Sequence, residues 1–390
     1  MTAHHQTFHV AVVGGGLVGK SAALALAQAG LRVALVAQPA AARPADLPFD
    51  ARIYALSASS QALLERLRIW QALDHDRLAP VYDMRVFGDA LAELHFSAFQ
   101  AAVSQLAWIV ESSLIEHALD AALRFQPQVD WLDTRAQGID VKADAAYLAL
   151  ATGQVVEADL VVGADGAHSW VRAQMGAHVT RRDYRQTGVV ANFKAEKPHG
   201  ETAYQWFVGG EIVALLPLPD SHVSLVWSAR SEHARELLAL EPAQLAAAVE
   251  QITHGRLGTL ECVGPAHGFP LALQSVDRLI APRVALVGDA AHLIHPLAGQ
   301  GMNLGLRDVA ALADVIAKKE PFRDLGDLVL LRRYERARRE DIGALTLATD
   351  GLQRLFSVPG TLARSVRNAG MAFVGAQPLV KHWLVTAALG

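Results

Sequence analysis

At 390 residues the chain is long for one core, so two lobes are expected. It is 52% hydrophobic and 19% charged, with 35 basic residues against 39 acidic ones and a net charge of -4, which gives no electrostatic case for nucleic acid. The one cysteine, Cys262, excludes an intrachain disulfide and a multi-cysteine metal site, and no metal is expected. The same cysteine usage fits a reducing cytoplasm, where we place the chain. No stretch has the uninterrupted apolar length of a membrane span, and MTAHHQTFH lacks the basic-then-apolar shape of a signal peptide.

Phe8–Val13 reads as a strand. Gly14-Gly15-Gly16-Leu17-Val18-Gly19 follows and fits G-x-G-x-x-G. Lys20–Ala29 is alanine- and leucine-rich, hence helical, with Gly30 as a C-terminal cap, and Leu31–Val36 is the next strand. Strand, glycine turn, helix and strand in this order form the context in which Gly14, Gly16 and Gly19 admit a pyrophosphate. An acid is expected at the end of the second strand to hold ribose hydroxyls. Ala37-Gln38 stands there instead, and Gln38 can serve through its neutral amide.

Pro39–Pro48 is a Pro/Ala-rich loop, and Asp50-Ala51-Arg52 leads into a helix at Ser57–Leu67. Arg52 reads either as a phosphate or flavin contact or as an ion-pair partner of Asp50. Met84–Phe87 and Glu93–Phe96 flank Gly88-Asp89 as a hairpin. Trp108–Val110 precedes Glu111 and a helix over Ser112–Phe125. Val129–Leu132, Gly138–Val141, Ala146–Ala151 and Val155–Val156 read as short antiparallel strands. Asp159–Val162 is a buried strand ending in Gly163-Ala164-Asp165-Gly166, where a carboxylate and a glycine meet at a strand end. From Tyr184 to Phe269 the texture becomes mostly antiparallel, with one helix over Glu232–Glu250.

The stretch RVALVGDAAHLIHPLAGQGMNLGLRD, Arg283–Asp308, is the most informative. Val284–Val287 reads as a buried parallel strand, and Asp289 stands just past its carboxyl end, where open α/β sheets bind ligands. Gly299-Gln300-Gly301 then opens a helix from Met302 through Asp308 to Ala313, whose free N–H groups favour an anion. A carboxylate for hydroxyls beside a positive helix end suits a flavin dinucleotide. An ordinary strand-turn-helix is the alternative. The arginines of Leu331–Glu340 read as a solvated helix face ahead of a phosphate or anionic-lipid contact.

These motifs together resemble the FAD-dependent aromatic hydroxylases of the para-hydroxybenzoate hydroxylase type. Within that group, DARIYALS at Asp50–Ser57, TAYQWF at Thr202–Phe207, GDAAHLIHPLAGQGMNLGLRD, RYERARR at Arg333–Arg339 and TDGLQRLF at Thr349–Phe356 are similar to the ubiquinone-biosynthesis ring hydroxylases. The resemblance implies an α/β chain: a discontinuous FAD-binding Rossmann-like domain of the glutathione-reductase type (1–75, 100–180 and 277–345). It further implies an inserted, mostly antiparallel β substrate domain (76–99 and 181–276) and a helical C-terminus (346–390). It implies hydroxylation of a prenylated phenol through a flavin hydroperoxide, with NAD(P)H as transient reductant and O₂ as co-substrate.

By the same resemblance, Gly14, Gly16 and Gly19 receive the FAD pyrophosphate. Asp165 and Gly166 touch it, and Gly288 and Asp289 bind the ribitol and phosphate side. Pro296 lies along the flavin ring, Gly299, Gln300, Gly301, Met302 and Asn303 cap its pyrimidine edge, and Arg52 and Glu111 stand beside it. His295 assists proton movement or makes a structural bond. Tyr204 and Gln186 are candidates for the substrate wall, and Phe207 for the wall or the core. Departures at Ala37-Gln38 and Ser112-Ser113 bear on adenosine and flavin-side contacts. A hydrophobic substrate leads us to expect peripheral contact with a membrane or a quinone-biosynthesis complex, and the stretch Gly370–Leu389 reads as a C-terminal helix packed on the core ahead of an interfacial or partner-binding one. The rivals are a hydroxylase of a soluble phenolic acid, a flavoprotein of another reaction class, and a non-enzymatic prenyl- or nucleotide-binding subunit.

Overall fold

The computed structural model describes residues 5–38, 49–88, 93–294, 300–357 and 377. The loop Pro39–Pro48, His295, Pro296, Gly299 and nearly all of Gly370–Leu389 lie outside the described residues.

Five strands run parallel through the first sheet. In spatial order they are Val284–Leu286, Val155–Gly163, His5–Val13, Val33–Val36 and Val129–Leu132. Their runs of Val, Ala and Leu are buried almost throughout, the pattern of parallel strands covered on both faces. Against this sheet packs α1 (Leu17–Gln28), and α2 (Ala58–Arg66) and α3 (Ser112–Arg124) share one core with it. Ala22, Ala23, Ala25 and Ala27 keep α1 slim enough to sit close to the strands. A short helix, α4 (Trp170–Gln174), follows the Val155–Gly163 strand.

The second sheet has seven strands in the order Leu260–Val276, Val179–Ala195, His222–Arg230, Glu211–Leu218, Thr202–Val208, Asp83–Phe87 and Glu93–Ser97. Only the pairing of Thr202–Val208 with Asp83–Phe87 is parallel. One face packs on α5 (Ser231–Ala239) and α6 (Pro242–Ile252), burying Val189, Phe193, Trp206, Val213, Leu225 and Trp227. The other face turns towards the first lobe, where Ala203 and Leu218 pack with Phe49, Val81 and Ile109. These last residues flank or belong to a three-stranded sheet of Ile53–Leu56, Ala107–Glu111 and Ala79–Val81. Two helices, α7 (Gln300–Ala317) and α8 (Leu328–Ser357), return the chain to the first lobe.

Three expectations are corrected, and one strand has no counterpart among them. Val129–Leu132 is parallel to Val33–Val36, because α3 carries the chain back across the sheet before the strand begins. Val155–Val156 belongs to the long Val155–Gly163 strand, which is parallel to His5–Val13 and antiparallel to Ala146–Leu150. The helix expected over Glu232–Glu250 is two, since Pro242 cannot donate a backbone bond and instead starts α6 beneath a Glu241/Gln244 capping box. Leu260–Val276 is a long strand with glycines and prolines that hide its pattern.

Candidate active site

The parallel strands end level with one another. Leu286 pairs with Gly163, Gly163 with Val13, Val13 with Val36, and Val36 with Leu132. With strands about 4.8 Å apart, five carboxyl ends make a row of about 19 Å. Every segment leaving that row carries site residues: Val287–Asp289, Ala164–Gly166, Gly14–Gly16, Gln38, and Arg135.

Gly14 has φ of 123°, which L side chains rarely adopt, and a Cβ there would lie 2.2 Å from Ala164 O. A Cβ on Gly19 would lie 2.0 Å from Gly14 O, so this glycine lets α1 press against the turn. A Cβ on Gly16, the N-cap of α1, would meet nothing within 4 Å, so the free amides of this helix start face open space. Gly301 near the start of α7 is equally unobstructed. The start of α1 thus opens at the row with backbone donors that no other described residue takes, the arrangement that receives phosphate. Val18 ties α1 to α7, since a Cβ at Gly288 or Gly305 would come within 3.1 or 2.8 Å of its methyl groups.

Asp289 follows Gly288 in a short 3-10 turn. Solvent reaches its carboxylate, yet protein surrounds it closely enough that burial raises its pKa, with His292 and Arg52 opposing the rise. A reachable carboxylate in a recess, flanked by a donor-rich helix end, fits the hydroxyls and phosphates of FAD. Arg52 extends this site towards the second lobe, its guanidinium 5.2 Å from the ring of Phe269. Tyr54 lies between them electrostatically, its phenol pushed up by burial and pulled down by Arg52.

Other sequence-predicted residues have partners within the protein. Asp165 caps α4: its oxygens accept the amides of Trp170 at 2.7 Å and Val171 at 3.0 Å, and the hydroxyl of Ser169. Gly166 next to it has φ of 80°. Glu111 is 1% exposed and accepts Arg77 at 2.8 and 2.9 Å and the amide of Asp50 at 2.5 Å, so it shapes the 50–52 turn from behind. Asn303 is fully buried, joining α7 to Ala55 O at 2.8 Å, Ser57 N at 3.0 Å and Ser60 Oγ at 2.7 Å. Gln38 Oε1 accepts Arg135 Nε at 2.5 Å, which leaves its amide nitrogen as the end that can turn to a ribose.

Tyr204 is corrected as a wall residue. It stacks with Trp206 on the face that packs against α5 and α6, and its hydroxyl donates to His199 O at 3.4 Å, while Ala203 and Gln205 alternate to the face towards the first lobe. Gln186 donates to Gly210 O at 3.1 Å, and Phe207 packs with Val86, Leu94 and Ile212. The arginine run is also corrected in part: Arg338 is 4% exposed and points inward to Asp308, whereas Arg339 faces solvent. Sequence reasoning missed Arg135, His292, Phe269 and the role of Asp308. Of these, only Asp308 and His292 carried a signal, by lying inside the Gly288–Asp308 motif.

The family described as FAD binding domain matches residues 7–348. Ubiquinone hydroxylase UbiL of Rhodospirillum rubrum is 37% identical, over 98% of this chain and 90% of that protein. The 3-demethoxyubiquinol 3-hydroxylase of Escherichia coli is 35% identical, over 99% of both. Among solved structures, P. aeruginosa PqsL in complex with 2-aminobenzoylacetate superposes with a TM-score of 0.77 at 24% identity, covering 94% of this chain and 100% of that one, a likeness of fold. The chain therefore belongs to the FAD-binding aromatic-ring hydroxylases, on the branch of the ubiquinone ring hydroxylases, and is an FAD-dependent monooxygenase.

Proposed function

We propose that this enzyme hydroxylates the ring of a prenylated phenol, a ubiquinone precursor, with NAD(P)H as reductant and O₂ as co-substrate. The observation that carries the reading is the 35% identity, across 99% of both chains, with a protein named 3-demethoxyubiquinol 3-hydroxylase. Bound FAD supplies the redox and oxygen chemistry. The protein's part is to bind, orient and shield. Gly14, Gly16 and Gly19 would admit the pyrophosphate at the start of α1, and Asp289 would accept hydrogen bonds from the ribitol hydroxyls. Gln38 and Arg135 hold the adenosine ribose. Gln300, Gly301, Met302 and Asn303, at the start of α7, would place their amides against the pyrimidine edge, a fixed positive end for the charge of a reduced ring. Pro296 and His295 lie outside the described residues; by the resemblance alone, the first would stand beside the ring and the second would assist proton movement. Arg52, braced by Asp50 and Glu111, closes the site beside Phe269 and keeps water out.

A polyprenyl tail is insoluble, and no described helix is long and apolar enough to cross a membrane. The enzyme therefore takes its substrate by docking transiently on a membrane surface or a lipid-binding complex. The test is deletion of the gene followed by extraction of quinones. The expected outcome is loss of ubiquinone with a precursor one hydroxyl short, rescued by the wild type and not by a flavin-free Asp289 variant. Normal ubiquinone in the deletion strain, with no paralogue able to substitute, rejects the assignment.

A further inference from the structure

The turn that presents Asp289 rests on a buried charge cluster to which no role is yet attached. Asp308 of α7 has no exposed surface. Its Oδ2 accepts the backbone N–H of Gly288 at 2.8 Å and His292 Nε2 at 2.6 Å, and its Oδ1 accepts Arg338 Nε at 2.7 Å. His292 is 2% exposed, and its own amide returns to Gly288 O at 3.0 Å. Arg338 is steadied by Asp341 at 2.6 Å, and one turn earlier on α8 Tyr334 donates to Leu286 O at 2.7 Å. Burial opposes the Asp308 charge, but His292 and Arg338 outweigh it and hold the carboxyl below its usual range.

Three donors thus converge on the Asp308 carboxylate, and one of them is the backbone amide of the residue before Asp289. Packing alone does not call for this, since apolar side chains of similar volume fill a core at least as stably as a buried ion pair. A charged pair that is fully hydrogen-bonded does fix one geometry. Gly288, with φ of 61°, is the kind of residue that otherwise has several.

We propose that Asp308, clamped by Arg338 and His292, is a positioning residue that locks the Gly288–Asp289 turn and thereby sets the affinity for FAD. The inference rests on Asp289 being an FAD contact, and its action runs through that carboxylate.

A double-mutant cycle on the full chain tests it, with the FAD dissociation constant read by titrating apoprotein and the apoprotein melting point read alongside. Asp308→Asn keeps the size but offers one acceptor and faces an amide group towards donors. It should weaken FAD binding about tenfold in the wild-type background and less than about twofold when Asp289 is already alanine. Arg338→Met should behave alike, and Arg338→Lys should recover most of the loss by restoring the charge. If Asp308→Asn does not fold, the Arg338 pair answers the same question in the same two backgrounds. Equal weakening in both backgrounds would mean a merely structural role and overturn the proposal, as would unchanged affinity in the single variants. Undiminished FAD affinity in Asp289→Ala alone would overturn the site assignment itself, and the proposal with it.

Discussion

Asp289 is held where a carboxylate is not at its most comfortable. Burial raises its pKa, Asp308 adds to the rise, and His292 and Arg52 offset only part of it. A raised carboxyl pKa means that the folded apoprotein binds the proton more tightly than the unfolded chain does. Its contribution to stability is therefore present at low pH and is lost as pH rises through the folded value. Asp289→Asn removes that burden, so at neutral pH the variant apoprotein should melt no lower than the wild type. It should nevertheless lose about 1.5–3 kcal/mol of FAD binding, the range for a hydrogen bond to a charged group. Calorimetry of the apoprotein and flavin titration measure the two halves, and a lower melting point with unchanged affinity would contradict both. Asp308 has the opposite sign: its lowered pKa contributes stability above the ordinary value of 3.8, lost as pH falls through the folded one.

At the level of elements, the glycines of the first turn separate two duties that their motif does not distinguish. Gly19→Ala drives a methyl group to 2.0 Å from a backbone oxygen. It should destabilise the apoprotein by about 1–3 kcal/mol, as overpacking does. Gly16→Ala meets open space at an ordinary φ of -75°, so the apoprotein should melt as before while FAD binds about tenfold or more weakly. Chemical denaturation and flavin titration of the two variants check the contrast. This first unit was legible in the sequence because glycine spacing and an alanine-rich helix report local geometry. What was not legible depended on distant partners. Tyr204 sits in a strand buried on both faces, so no polar alternation marks which side meets the first lobe. Val129–Leu132 takes its direction from the crossover before it. Arg338 is one of several similar arginines, and only the helical spacing that groups it with the buried Leu331 and Tyr334 singles it out. Asp308 and its partners lie 16 to 30 residues apart, beyond the reach of any local pattern.

For the whole molecule, α8 is the strut. Tyr334 and Arg338 fasten it to the strand end and turn of the first lobe. Farther along, Asp350 accepts Arg182 at 2.5 Å and Tyr184 at 3.2 Å, both from the long Val179–Ala195 strand of the second. The sixteen residues from Tyr334 to Asp350 span about 24 Å of helix. Asp350→Ala should lower the denaturation midpoint by the equivalent of about 1–2 kcal/mol while FAD affinity stays within about twofold, since the cofactor turn keeps its own supports. An unchanged midpoint would show that the lobes do not depend on this link. The order of strands in the first sheet also has a meaning for a chain still being made. The N-terminal unit leaves the ribosome early, but Val284–Leu286, which covers Val161–Gly163, is translated more than a hundred residues later. Until then a nascent chain presents an unpaired apolar strand edge, the feature that invites association with other chains. A ribosome that stops before Val284 therefore releases a chain that lacks Asp289 and α7 and leaves this edge open.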